Sequence, residues 1–324
     1  MKTRSTSIAL PALLALVALV ALLAAAPLAH AHVLTDAERA APTFGWSFAP
    51  WPVALMAASI AAYAAGYLRL RRRSGSRGRV LRARHAAAFA GGSCALALAL
   101  FSPLDTLSAW LFSAHMVQHE TMMLIAAPLL VLGRPLAVWI WALPHEWRLW
   151  VGHRIRARGV AASWRFLTAP LTGWWLHAVA LWAWHAPAAF EAALVHPFVH
   201  SLQHSSFLLT ALVFWWTVFG DGARRQSGGH AMLSVFTTMV HTTALGALIT
   251  LAPGLWYPYY VEPCSTLGID PLHDQQLGGL IMWVPGAAAY LIGGLAIAAR
   301  WLSCQSSPQF APGRAAIVPR DTPR

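Results

Sequence analysis

The sequence predicts an all-α protein, a polytopic integral membrane helical bundle with about seven transmembrane helices after an N-terminal signal peptide. Hydrophobic residues make up 58% of the 324 residues and charged residues only 10%, a composition typical of membrane proteins. Seven apolar segments approach the roughly 20 residues that a helix needs to cross a bilayer. The arginines fall mainly between these segments, which indicates loops on one side of the membrane.

Residues 1–31 have the features of a signal peptide. Two basic residues precede a long apolar run, and Ala29-His30-Ala31 has the small-x-small pattern of a cleavage site. The apolar run is longer than that of most signal peptides, so an uncleaved anchor is the alternative. Residues 32–49 are expected to form a short outer segment. Cleavage after Ala31 would make His32 the N-terminus, where the amine and the imidazole could together bind Cu(II).

The membrane domain is expected over residues 50–300, followed by a disordered cytoplasmic tail at 301–324. The expected spans lie near residues 50–68, 85–104, 110–132, 170–187, 198–219, 231–252 and 277–299. The segments after the first, third, fifth and seventh spans carry nearly all the arginines, so we expect them in the cytoplasm. The mature N-terminus is then outside the membrane and the C-terminus inside. Residues 136–143 are apolar but too short to span, and we expect an interfacial or re-entrant piece there.

Several function classes find no support in the sequence. The net charge of +12 comes from short basic segments between apolar runs, which indicates topology and not a nucleic-acid partner. The three cysteines are far apart, without a Cys-x-Cys or Cys-x-x-Cys motif. A nucleophile elbow, a phosphate loop and a His-Glu-x-x-His motif are also missing from the sequence, so we expect no enzyme activity.

Histidines gather near the expected outer ends of the helices. His115 and His119 lie one turn apart on one face of the third span, and His200 and His204 repeat this spacing on the fifth. His185 lies near the outer end of the fourth span. Imidazoles at membrane depth need partners inside the bundle, so this set predicts a site for a metal, a haem or a proton path. Hydrogen bonding between neighbouring helices is the alternative.

Methionines near these histidines favour Cu(I), because thioether ligands select it among the metals that imidazole binds. The predicted metal ligands are His115, His119, His185, His200, His204 and Met282. A second set is expected to support the ligands by hydrogen bonding or proton transfer: Glu120, Asp274, Gln275 and Gln276. Asp274 and the preceding His273 are expected in the outer loop before the seventh span. His241, deep in the sixth span, is equally consistent with a helix–helix hydrogen bond.

Four segments together resemble the CtaG family of bacterial cytochrome c oxidase assembly factors, which is associated with caa-type oxidases. They are the His-Met-Val-Gln-His segment that continues to Gly133, then residues 182–187, 202–204 and 274–286. The resemblance covers roughly residues 50–300. It implies a role in maturing the haem-copper oxidase by helping copper reach it, with subunit I or II as partner. The residues that it transfers by position are His115, His119, His185, His204, Asp274, Gln275, Gln276 and Met282.

Three functions remain open at this point. The leading interpretation is a metal chaperone of the respiratory chain that holds copper transiently at an outer-leaflet His/Met site and passes it to the oxidase. Such a site should be incomplete, because a closed cage of strong ligands would not release its ion. One alternative is a bis-histidine haem protein that carries electrons or handles haem. The other is a copper permease, which would need further ligands along the inner half of the bundle.

Overall fold

The computed structural model of the protein describes residues 42–74, 76, 78–220 and 228–305, and this part of the chain is helical and contains no strand. The all-α prediction is therefore confirmed. The expected signal peptide, His32 and the tail beyond residue 305 lie outside the described residues. Residues 301–305 were expected in the tail, but they continue the last helix.

Six helical segments in the described part are long and apolar enough to cross a membrane. They are α1 (Pro50–Ser74), α2 (Arg79–Phe101), the segment Phe112–Leu132, α11 (Pro197–Phe219), α12 (Gly228–Thr250) and α14 (Pro271–Gln305). Shorter helices connect them: α3 (Pro103–Ser108), α6 (Pro135–Ala142), α7 (His145–Arg156), α8 (Arg158–Leu167) and α13 (Val261–Thr266). A single 3₁₀ turn, Pro258–Tyr260, precedes α13.

The fourth predicted span differs from the prediction. Helix α9 (Pro170–His185) ends before Pro187, and the chain turns by 76° into the short helix α10 (Pro187–Val195). The turn has a local cause, since a residue that precedes proline is disfavoured in the helical conformation, and Ala186 is extended. At 1.5 Å per residue, α9 alone is about 24 Å long, shorter than the ~30 Å hydrocarbon layer. The described residues thus contain six clear candidate spans, or seven if the bent pair crosses the membrane.

The third span is interrupted. Helix α4 (Phe112–Glu120) passes into a π-helical turn at Thr121–Ala126 and continues as α5 (Ala127–Leu132). Pro128 explains the interruption, because proline has no N–H and its ring clashes with the carbonyl four residues earlier. The wider turn relieves that clash, and Ala127 N–H bonds to the Met122 carbonyl five residues back.

The last span begins earlier than predicted. We expected a span at 277–299 with His273 and Asp274 in the preceding loop, but α14 already begins at Pro271. Asp274 therefore lies in the first turn of α14. The prediction from hydropathy missed this start because it does not consider helix-starting residues. Proline is favoured at the first helical position, since its fixed φ is already that of a helix.

Glycines allow α14 to approach its neighbours closely. A Cβ on Gly279 would lie 2.8 Å from the Gly246 carbonyl oxygen, so α12 and α14 meet backbone to backbone. A Cβ on Gly278 would lie 2.3 Å from the ring of Phe112. These contacts hold α14 against α4, the helix that carries the first histidine pair.

Candidate metal site

Three buried histidines converge between α4 and α11. His115, His119 and His204 each offer a ring nitrogen, and these nitrogens all lie within 4.8 Å of one another. The Nε2 atoms of His115 and His119 are 3.0 Å apart. The exposed fractions of the side chains are 0% for His115, 1% for His119 and 8% for His204. One predicted pair on α4 and one member of the other pair on α11 thus form a compact cluster between two helices.

Some buried histidine nitrogens in this cluster and beside it have no hydrogen-bond partner among the described residues. They are His119 Nδ1, His204 Nε2 and His185 Nε2. An unpaired buried polar atom costs free energy, and native proteins rarely leave several in one place without a purpose. Imidazole nitrogens are ligands for copper, zinc and haem iron, so the donor set fits a metal ion.

Tyr260 orients His115 from the loop between α12 and α14. The Tyr260 hydroxyl donates to the Ser108 carbonyl at 3.0 Å and lies 3.2 Å from His115 Nδ1. A hydroxyl has a single hydrogen, so we assign the hydrogen of the second contact to His115 Nδ1, with the Tyr260 oxygen as acceptor. His115 Nε2 then carries its lone pair toward the cluster. This arrangement is typical of metal-binding histidines, whose second nitrogen is held by a neighbouring group.

His185 is held in a similar way at the end of α9. Its Nδ1 donates to the Leu181 carbonyl at 2.7 Å, which leaves Nε2 as the buried unpaired acceptor. The Tyr257 hydroxyl donates to the backbone carbonyl of His185 at 2.9 Å. The His185 ring packs against Phe190 and Phe207, and the same two rings contact His115 and His119, respectively. His185 therefore borders the three-histidine cluster across a layer of aromatic rings.

A cavity of about 620 Å³ reaches the cluster from the side of α1. His200 and His204 line it together with Met122, and its other walls come mainly from apolar residues of α1, α2 and α11. The His200 ring centroid lies 4.1 Å from that of His204 and 5.6 Å from that of His115. His204, the most exposed of the three clustered histidines, lines this cavity, so the cavity opens onto the cluster at His204.

Asp274 holds the N-terminus of the helix that carries His115 and His119. Its carboxylate accepts hydrogen bonds from the backbone N–H groups of Phe112, at 2.6 Å, and Ser113, at 3.4 Å, and from the Ser113 hydroxyl. The first N–H groups of a helix need acceptors and carry partial positive charge, which a carboxylate complements. Asp274 therefore supports His115 and His119 through the backbone of α4.

The other predicted site residues lie on or near α14, which packs against the helix that carries His115 and His119. Gln275 fixes the loop after α12, because its side chain accepts from Trp256 N–H at 2.7 Å and donates to the Gly254 carbonyl at 3.2 Å. Gln276 is half-buried on α14. Met282 is buried in an apolar cluster with Phe112, Met116 and Phe190. Its role as a ligand stays a prediction.

Two further predicted groups face away from the histidine cluster. The Glu120 carboxylate lies toward α14, 3.1 Å from where a Cβ on Gly286 would be. His241 packs edge-on against Trp174 at 5.6 Å, and neither of its ring nitrogens has a hydrogen-bond partner within the described ranges. His273 is exposed beside Asp270.

The loop between α12 and α14 also contains a buried thiol. The Cys264 thiol lies 3.6 Å from the Trp110 carbonyl oxygen and 3.7 Å from the Asp274 carboxylate. Burial, together with the negative charge of Asp274, raises the pKa of Cys264 to about 12. Burial also raises the pKa of Tyr260 well above its ordinary value, so its hydroxyl keeps the hydrogen that it donates. Cys264 is thus a neutral thiol and a poor metal ligand.

Comparison with known proteins agrees with the motifs. A family model described as cytochrome c oxidase caa3 assembly factor (Caa3_CtaG) matches residues 61–303. The chain belongs to this family. The match covers every residue of the histidine cluster and of the loop that supports it, and it confirms the resemblance found in the sequence.

Curated relatives of this caa3 assembly factor family member occur in mycobacteria. An uncharacterized protein of Mycobacterium leprae is 28% identical over 256 residues, which is 74% of this chain and 37% of that protein. One of Mycobacterium bovis is 27% identical over 237 residues, 68% of this chain and 34% of that protein. The chain thus spans little more than a third of the length of these relatives. No solved structure gives a significant match.

The sequence did not predict the roles of Tyr257 and Tyr260 in this family member. Three of the six tyrosines fall between residues 257 and 260, in a loop that is otherwise apolar. That concentration is a usable signal, because a buried tyrosine needs a partner for its hydroxyl. Hydropathy alone does not show it, since the loop joins two spans without a charged residue before Glu262.

Proposed function

We propose that this protein is a non-enzymatic assembly factor of the bacterial cytoplasmic membrane that holds copper transiently and passes it to the haem-copper oxidase. The observation that carries the proposal is the cluster of His115, His119 and His204, with ligand nitrogens within 4.8 Å of one another and several buried nitrogens unpaired in the described structure. Copper is the cargo here and not a resident cofactor. Membership of the caa3 assembly factor family supports the oxidase as recipient.

The cluster is suited to release as well as binding. Three imidazoles leave room for an exchangeable fourth ligand, unlike the closed four-ligand cages of structural metal sites. His200 and Met122 line the cavity together with His204 and are additional donors on the entry route. A thioether there would favour Cu(I). We infer that the ion enters and leaves by way of this cavity, and that the cluster lies toward the outer leaflet, as the arginine distribution predicts.

The packing favours copper over a bis-histidine haem. Two axial imidazoles place their nitrogens on opposite sides of the iron, about twice a metal–nitrogen bond of ~2.0 Å apart, with the macrocycle between them. Here the two ligands would come from the facing helices α4 and α11, but the rings of His119 and His204 are centred only 5.0 Å apart and pack edge to face. The rings of Phe190 and Phe207 pack beside the cluster, 5.1 Å from His115 and 4.7 Å from His119. A macrocycle would have to displace these buried rings.

The test is a complementation experiment under limiting copper. Cells that produce the oxidase receive the wild-type protein or the variant His115→Ala/His119→Ala, and the copper content and activity of the oxidase are measured. We expect both to fall to the level of a strain that lacks the protein, with the variant still present in the membrane. The matched control is His196→Ala, because His196 is exposed. Full oxidase activity with the double variant contradicts the proposal.

A further inference from the structure

A strongly basic pocket lies at the C-terminal end of α1. It has a volume of about 340 Å³, and its lining consists of Arg69, Arg72, Arg73, Trp141, Leu143, Pro144, His145 and Arg148. It contains four guanidinium groups and no carboxylate. The α1 residues that line the histidine cavity end at Ser59, ten residues before Arg69. That separation is about 15 Å along a helix, so the two sites are distinct.

Close packing of α6 on α1 builds one wall of this pocket. A Cβ on Gly66 would lie 2.0 Å from the Val138 carbonyl oxygen, so the two helices touch at that point. The Tyr63 hydroxyl donates to the Gly133 carbonyl, and the Trp139 indole donates to the Ser59 carbonyl. The wall is therefore held by both packing and hydrogen bonds.

Arg69 forms hydrogen bonds with the C-terminal end of α6. One of its guanidinium nitrogens donates to the carbonyls of Ala142, at 2.6 Å, and Leu143, at 2.9 Å. It also donates to the Trp141 carbonyl, at 3.3 Å. The last carbonyls of a helix lack intrahelical partners and carry partial negative charge, so a cation satisfies both needs. Arg69 fixes the pocket and leaves the remaining arginines for a ligand.

Arg73 and Arg148 flank the indole of Trp141. The Arg148 guanidinium carbon lies 4.3 Å from the ring centroid and that of Arg73 lies 5.8 Å from it. A nitrogen of Arg148 also lies 2.9 Å from His145 Nδ1. Within the described ranges, none of the four arginines is paired with a carboxylate. Several like charges in one pocket repel each other, so a bound anion would stabilise the arrangement.

We propose that this pocket binds the phosphate of an anionic membrane phospholipid. Guanidinium groups match phosphate oxygens with paired N–H donors, and basic pockets between membrane helices are suited to lipid headgroups. The place in the fold favours a lipid over a free anion, because the pocket lies at the end of a membrane-spanning helix and contains an interfacial tryptophan. Leu68 and Leu149, next to Arg69 and Arg148 in the sequence, are exposed and offer apolar surface to acyl chains.

The experiment measures lipid binding to the purified full-length chain. Delipidated protein in detergent is titrated with short-chain phosphatidylglycerol, phosphatidylcholine or inorganic phosphate, and bound ligand is counted by native mass spectrometry. We expect phosphatidylglycerol to bind at least about tenfold more tightly than phosphatidylcholine. The variant Arg72→Gln/Arg73→Gln/Arg148→Gln should weaken phosphatidylglycerol binding by at least about tenfold.

The matched control, Arg156→Gln/Arg158→Gln/Arg165→Gln, removes the same charge from the same basic region outside the pocket. It should stay within about twofold of the wild type, because exposed charges act only diffusely. An equal loss in both variants would mean that binding reflects general charge, and inorganic phosphate that binds as tightly as the lipid would mean that a free anion is the ligand. Either result overturns the proposal.

A second variant covers the case in which the glutamine variant does not fold. Arg72→Lys/Arg73→Lys/Arg148→Lys keeps the charge but loses the paired donors. It should bind phosphatidylglycerol several-fold more weakly than the wild type. Wild-type affinity in this lysine variant contradicts recognition by guanidinium groups.

Discussion

Tyr260 fixes the tautomer of His115, so the lone pair of His115 Nε2 points into the cluster. The phenol oxygen accepts a hydrogen bond from His115 Nδ1–H, and the phenol hydroxyl donates one to the Ser108 carbonyl. Because the partners of metal-ligating histidines set both ring orientation and tautomer, their loss commonly weakens metal binding about 10–100-fold. We therefore expect Tyr260 to act in the proposed metal site together with His115, whose imidazole it orients.

The first prediction follows from this contact. Tyr260→Phe should weaken copper binding by at least about tenfold while it keeps the buried ring, as measured by competition with a Cu(I) chelator of known affinity. Tyr67→Phe on α1 is the control, because Tyr67 belongs to a different packed cluster. Unchanged affinity in Tyr260→Phe would contradict the orienting role.

A second prediction concerns the reactivity of the Cys264 thiol, which depends on pH. Its raised pKa, about 12, keeps the thiol protonated at pH 8, and thiolate forms only as the pH approaches that value. In a Cys94→Ala/Cys304→Ser background, we expect almost no labelling of the folded protein by a maleimide at pH 8 and full labelling after denaturation. Rapid labelling of the folded protein would show that the thiol is accessible and ionised.

At the scale of the elements, the site depends on how α4 begins and how it is interrupted. Asp274 reaches from α14 to the first N–H groups of α4, so these two helices are coupled by a buried carboxylate as well as by the contact of Gly278 with Phe112. The π-helical turn follows directly after His119 and Glu120. Such turns are frequent at functional sites. Because the π-helical turn is wider than an α-helical turn, it changes the face of the helix on which the residues after the histidines lie.

Removal of the Asp274 carboxylate should therefore lower the stability of the fold and weaken copper binding. Asp274→Ala leaves buried N–H groups without an acceptor, and we expect a loss of about 1–3 kcal/mol in the free energy of unfolding. Thermal unfolding in detergent measures this change, together with weaker copper binding. The adjacent variant His273→Ala should change the free energy of unfolding by less than about 0.5 kcal/mol, because its side chain is exposed. Equal stability of the two variants would contradict the capping role.

Part of the site could be predicted from the sequence and part could not, because the three-dimensional packing of the chain decides which helices meet. The pairs His115/His119 and His200/His204 followed from spacing, because four residues make about one helical turn in any helix. That the two pairs face each other required the packing of α4 and α11 and could only be a hypothesis. The role of Tyr260 depends on a loop that folds back onto α3 and α4, which no periodic pattern encodes.

Membrane topology is a prediction for the whole molecule. Reporter domains fused after Arg73 or Arg158 should be active only in the cytoplasm, and one fused near Cys264 only outside, because the arginine-rich segments stay inside. The opposite result for any of these fusions would mean that the histidine cluster lies on the inner side of the membrane. Delivery of copper from the outside would then be contradicted. Fusion activity in intact cells, normalised to the amount of protein, is the measurement.

We propose that the imidazoles of α4 and α11 bind copper, and metal analysis of the purified protein after loading with Cu(I) tests this. X-ray absorption at the copper edge identifies the ligands of the metal, and an optical spectrum of the same sample shows whether haem is present. For the wild type and His196→Ala, we predict bound copper with imidazole nitrogen ligands and no Soret band. For His115→Ala/His119→Ala and for His204→Ala, we predict loss of most of that copper. The same amount of copper in all four proteins, or a Soret band that depends on these histidines, would contradict the account.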